Sequence, residues 1–290
     1  MEPPPSNDPG QFGSTFAVTA TATAEASGPP PVPDGRHVDA GRGLAWLGDA
    51  WQMFKDAPGS WVACFLIFLL IMFVLAIIPL FGNIAGALLS PVLIGGMMIG
   101  CRELERNEEL MVSHLFAGFK EKSGPLLKLG LLEFAVSLVV MLIAATLVFV
   151  SLGAMFLGVL MGQALDPGTM LAPEFWLGAV VLMLVIIALF IPVSMAVWFA
   201  PALVALDGVE PLTALKWSFF ACLKNIWSFL VYGLVIFGLA IVATIPLGLG
   251  WLLLGPVIIA SVYTAYRDIF FSEPPHPTPT SLSPGERDRG

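Results

Sequence analysis

Four stretches of this chain run for more than thirty residues without a charged side chain: Gly59 to Cys101, Phe134 to Leu165, Phe175 to Leu206 and Asn225 to Tyr266. An apolar run longer than about 18 residues does not belong in a soluble core by default. The hydrocarbon of a bilayer is therefore the solvent these segments select. Composition agrees, with 57% hydrophobic and 12% charged residues in 290, outside the range of ordinary soluble domains.

The first and last runs are each long enough for two helices. Splitting the runs at Pro79 to Asn83 and Pro246 to Gly250, with Asp166 to Glu174 joining the middle pair, predicts spans near 61–79, 84–101, 131–153, 176–199, 227–246 and 249–266. A helix of about 20 residues rises about 30 Å, the thickness of the hydrocarbon layer. All thirteen Lys and Arg residues fall on one side of this arrangement, and the opposite loops hold only Asp166 and Glu174. The positive-inside rule then puts both termini in the cytoplasm.

A pattern is written twice. Trp51, Trp61, Pro79, Pro91 and Arg102 match Trp217, Trp227, Pro246, Pro256 and Arg267, with ten residues between the tryptophans and eleven from the second proline to the arginine in both copies. The repeats cover about 43–104 and 209–269, with a diverged middle unit over about 109–206. Each unit reads as an amphipathic interfacial helix followed by a transmembrane hairpin. In the first helix the expected apolar stripe is Leu44, Leu47, Trp51 and Phe54; in the last it is Leu212, Leu215, Phe219 and Leu223. The expected fold is an all-α integral membrane protein with six transmembrane helices in three hairpins, spanning 42–270. Trp51, Trp61, Trp217 and Trp227 are expected as interfacial anchors.

Residues 1–41 and 271–290 are rich in Pro, Gly, Ser and Thr and read as disordered cytoplasmic tails. The first lacks the basic start and apolar segment of a signal peptide. Cys64, Cys101 and Cys222 are odd in number and unevenly spaced, so no disulfide is expected.

No metal, phosphate-loop or nucleophile motif is present. The expectation is a non-enzymatic protein that needs no cofactor and binds no nucleic acid. Charged groups inside the membrane would mark a functional path, and Glu133, five residues beyond Lys128, comes nearest. Read from sequence it is foremost an interfacial carboxylate within reach of water, and otherwise a proton or cation site. Pro91 and Pro256 read as packing kinks, or as walls of a cavity. Arg102 with Glu103 and Arg267 with Asp268 recur at matching positions; the arginines read first as anchors at the helix ends, and otherwise the pairs read as a partner-docking surface. Gly82/Gly86, Gly96/Gly100 and Gly158/Gly162 allow close helix contact, more often within one chain than between subunits.

From Phe199 to Leu230, Ala200, Pro201 and Leu203 end an apolar helix, Asp207 and Gly208 form a loop, and Ala214, Leu215, Trp217 and Ser218 open an interfacial helix; the chain's last span closes on Tyr266, Arg267 and Asp268. Over about residues 42–270 this resembles a broad group of bacterial polytopic membrane proteins with no established activity, and the membrane domain attached to some glycerophosphodiester phosphodiesterases. The resemblance implies a multi-pass protein of the bacterial inner membrane. No phosphodiesterase catalytic domain accompanies it here. Two functions fit: organisation of membrane lipids or partner proteins, including a second copy, or transport of a small solute or lipid through a cavity between the hairpins.

Overall fold

The computed structural model describes residues 30–79, 81–161 and 173–271. Among these there is no strand; the chain forms α1 (Arg42–Asp56), α2 (Pro58–Ile77), α3 (Phe81–Glu105), a 3-10 turn (Val112–Phe116), α4 (Ala117–Glu121) and α5 (Ser123–Leu160). Then come α6 (Pro173–Trp198), α7 (Ala200–Asp207), α8 (Pro211–Lys224), α9 (Ile226–Thr244) and α10 (Trp251–Phe270). Six helices are long and apolar enough to cross a membrane: α2, α3, α5 over Ser123–Ser151, α6 running on into α7, α9 and α10.

Proline and glycine set the boundaries. Pro58 and Pro211 occupy first-turn positions, where the missing N–H costs nothing. Leu247 and Gly248 take positive φ between α9 and α10, and Gly250 lies so close to Ala243 that a side chain there would collide with it. Between α6 and α7 the helix breaks at Phe199, just before Pro201. Ser218 of α8 repairs the break: its hydroxyl donates to the Met195 carbonyl at 2.7 Å and accepts from the Phe199 N–H at 2.9 Å.

The packed core sits at one end of the bundle. Pro91 to Cys101 of α3 is almost wholly buried, against Leu115, Leu126 and Leu203, while Trp46, Trp61, Tyr263, Tyr266 and Phe270 fill the rest. α3 packs along α5 and α7, α10 along α1, and α6 along α8. At the other end the apolar surface is bare: Leu70, Phe73 and Ile77 of α2, Val181 and Leu184 of α6, and Phe237 and Ile241 of α9 are all exposed. Such a surface is unsustainable in water and is what lipid covers.

The short helices bury a face that coincides only in part with their apolar stripes. In α1 the inward residues are Gly43, Trp46, Leu47, Ala50 and Phe54, with Leu44 and Trp51 outside. In α8 they are Ala214, Leu215, Ser218, Ala221 and Cys222, while Leu212 and Leu223 are exposed. In a bilayer small residues mark the protein contact, because they let backbones approach, and large apolar residues face lipid at no cost. Gly43 lies against the Ser228 carbonyl, closer than any side chain would allow.

The N-terminal boundary also moves. Residues 1–29 and 272–290, most of the two expected tails, lie outside the described residues. Residues 30–41, expected to be disordered with them, are docked. The Val32 and Arg36 N–H groups donate to the carbonyls of Phe270 and Ile269, both at 2.8 Å. Asn225, buried at the α8–α9 junction, accepts from the Val38 N–H and donates to the Arg36 carbonyl. Backbone pairing supplies what the composition of this segment withholds.

Candidate functional site

Ionisable side chains converge at the packed end of the bundle. Asp268, only 1% exposed, receives Arg36 at 2.6 Å on Oδ1, and Arg42 at 2.7 Å and the Trp46 indole N–H at 2.8 Å on Oδ2. It ties the docked segment and α1 to the last turn of α10. The sequence reading of Arg267 and Asp268 as a headgroup anchor therefore divides. Asp268 is an internal clasp, whereas Arg267 donates to Glu105 Oε1 at 3.3 Å and lies over the Phe271 ring at 4.8 Å.

A second cluster adjoins it. Tyr263 donates to Glu105, and Tyr266 donates to Asp207 at 2.5 Å. Arg102 donates to the Leu206 carbonyl at 3.2 Å, but its Nε is buried without a partner. Glu103, the counterpart of Asp268 in the repeat pattern, pairs only with Arg106, 3.5 Å away on its own turn. Matching positions thus carry different work. The chain has 21 Phe and only 3 Tyr, and all three tyrosine hydroxyls are hydrogen bonded inside the bundle, Tyr232 to Ser261 at 2.7 Å. Tyr266 and Asp207 carry the sequence resemblance without being paired by it, and the scarcity of tyrosine is the signal that could have added Tyr263 and Glu105.

The four tryptophans part company. Trp61 is fully buried with its N–H on the Met53 carbonyl at 3.1 Å, so it is core rather than interfacial anchor. Trp51 is half-exposed and stacked on Phe54, Trp217 is partly buried against the core, and Trp227 is exposed. Gly96 and Gly100 receive the segment around Leu110, His114 and Leu115, so this pair packs its own chain. Gly162 lies outside the described residues.

Two grooves flank the half of α6 nearer the clusters. The first, about 650 Å³, is lined by Ile94 and Met98 of α3, Glu133 of α5, Ile187 and Phe190 of α6, and Ile259 of α10, among others. The second, about 700 Å³, is lined by Trp198, Trp227, Tyr232, Gly233 and Ile236, among others. Pro91 and Pro256 are buried inside α3 and α10 and line neither groove.

Glu133 is deeper than its distance from Lys128 suggests. α5 begins at Ser123, and Gly130 lies against the backbone of Ala87 and Leu88, fourteen residues or about 21 Å along α3 from Arg102. Its Oε2 is buried without a hydrogen-bond partner. The expectation of a carboxylate at the interface gives way to one at mid-depth in an apolar groove, because α5 sinks its first turns against α3 before it reaches lipid. Among the described residues no group of three His, Cys, Asp or Glu side chains could hold a metal ion.

The chain is 31% identical over 210 residues to a protein of Burkholderia thailandensis described as a probable inner membrane protein, an alignment covering 71% of this chain and 76% of the relative. No protein-family model matches the chain, and no solved structure does. The chain belongs to the family of that inner-membrane protein and is itself a multi-pass protein of the inner membrane.

Proposed function

We propose that this member of the family is a non-enzymatic membrane protein that organises lipid, drawing lipid chains into the two grooves beside α6 while its termini and ion-pair clusters face the cytoplasm. The observation that carries this reading is the poor packing of α6. It is joined to the bundle along α5 and α8, its outward residues are exposed along the span, and the grooves on either side are walled by Ile, Val, Phe and Trp. Void space of this size inside a bundle loses dispersion contacts unless something fills it, and in a bilayer the available filler is an acyl chain. The groove length supports this: Ile186 to Trp198 spans about 18 Å, close to the depth of one leaflet.

The orientation is inferred from the one-sided Lys and Arg distribution. The likeness to the membrane domain of some glycerophosphodiester phosphodiesterases enters as a proposal of common architecture, without that activity. Transport as the main function is the weaker reading, since the first groove has one ionisable side chain and the two mid-helix prolines stay outside it.

Native mass spectrometry of the protein released from mild detergent tests the proposal. Retained phospholipid is expected on the wild type, with less on Ile187→Trp, which fills the first groove, and on Gly233→Trp, which projects into open space in the second. A wild type that retains no lipid, or retention indifferent to both substitutions, would overturn it.

A further inference from the structure

The first groove contains a feature that lipid chains do not explain. Every described residue lining it is apolar except Ser194, whose hydroxyl already donates to the Ile191 carbonyl of its own helix at 2.8 Å, Trp198 with its indole N–H, and Glu133. No Lys, Arg or His lines it, and Glu133 forms no hydrogen bond or ion pair within the described residues. An ionised carboxylate away from water costs several kcal/mol unless a cation or donor accompanies it. The chain makes no use of Glu133 in packing, where an aliphatic residue would serve better.

None of the described residues supplies a partner, so a charge that balances the ionised carboxylate would come from a bound molecule, and the groove states the chemistry. The walls reject a small hydrated ion, which would lose its water without gaining oxygen ligands. They suit a bulky apolar body, and Phe190 and Trp198, of the aromatic types that attract organic cations, are among them. The volume of about 650 Å³ falls within the usual range for small-molecule sites. The groove also lies against the bilayer, the phase into which such molecules partition.

We propose that the groove between α3, α5, α6 and α10 binds a lipophilic organic monocation, with Glu133 as counter-ion and the isoleucine, phenylalanine and tryptophan walls enclosing its apolar body. This rests on the reading of the groove as a site for membrane-dissolved molecules and names which of them it selects. Charge complementarity decides the sign: an anionic amphiphile would bring like charge to Glu133, and a neutral one would leave the carboxylate uncompensated.

The test is equilibrium binding of tetraphenylphosphonium to the full-length protein in nanodiscs of zwitterionic lipid. Saturable binding at one site per chain is expected. Glu133→Gln, which keeps the shape and removes the charge, should weaken it at least tenfold, and Ile187→Trp should weaken it comparably by filling the space while leaving the carboxylate. Should Glu133→Gln not fold, the Ile187→Trp pair carries the test. Absence of saturable binding to the wild type, or binding that survives both substitutions, would overturn the proposal. Lipid retention by Glu133→Gln separates the two claims: retained lipid without cation binding is the expected result, whereas loss of lipid from wild type and variant alike would sink the lipid reading independently.

Discussion

The indole N–H of Trp46 donates a 2.8 Å hydrogen bond to Oδ2 of Asp268, 222 residues later in the chain. With Arg36 and Arg42 on the same carboxylate, this contact joins the docked segment before α1, and α1 itself, to α10. Removing one partner from a buried ion pair is far costlier than losing a surface pair. Asp268→Asn should lower stability by about 3 kcal/mol, read as a drop in the thermal midpoint in detergent. Arg36→Gln and Arg42→Gln should each cost less, because both arginines are about one-third exposed.

Two helical glycines should behave oppositely. A Cβ at Gly96 would meet the backbone of His114 and Leu115, whereas one at Gly153 would meet nothing within 4 Å. Gly96→Ala should therefore force the 110–116 segment off α3 and destabilise the protein by about 1–3 kcal/mol, the range for overpacking a core. Gly153→Ala should be neutral or stabilise by up to about 1 kcal/mol through helix propensity. Paired thermal unfolding curves would show it, and equal effects would mean that α3 does not pack as described.

The thiols should be silent in the folded protein. Cys64, Cys101 and Cys222 are buried. Burial pushes the Cys222 thiol, in α8 outside the spans, up to about 12, against a smaller lowering by the neighbouring Ser218 hydroxyl. The reactive thiolate is therefore absent well above neutrality. Maleimide labelling of Cys222 should stay low from pH 7 to 9 and appear on unfolding in dodecyl sulfate. Labelling of the folded protein that is fast near neutrality and levels off by about pH 9 would show an accessible, ordinary thiol.

The silence of the native cysteines makes an orientation experiment direct. Gly168→Cys should react with an impermeant maleimide in intact spheroplasts and Ser6→Cys should react only after lysis. The opposite pattern would invert the orientation and put the clusters around Asp268 and Glu105 outside the cell.

How much of this was legible in the sequence depends on what decides each feature. The six spans follow from uncharged length, a property the bilayer reads directly, and they agree with the helices to within a few residues at most ends. The long exception is α5, which runs from Ser123 because its first turns pack on α3, a contact invisible in hydropathy. The inward faces of α1 and α8 are only partly legible because periodicity identifies large apolar residues, and lipid accepts those as readily as protein does. Asp268 and Glu103 look equivalent in the repeat pattern, yet only Asp268 meets partners from the segment before α1, a distance of more than two hundred residues. The sequence marks Glu133 as a candidate, but its depth depends on where α5 meets Ala87 and Leu88.

The account stands or falls on lipid inside the first groove. A photoreactive amino acid placed at Ile187 and activated in native membranes, followed by mass spectrometry of the purified chain, is the most direct measurement. Phospholipid adducts at Ile187 and none at the buried control position Leu93 are predicted. Cross-linking at Ile187 to a second polypeptide alone, with no lipid adduct, would contradict the account and make the groove an interface between proteins.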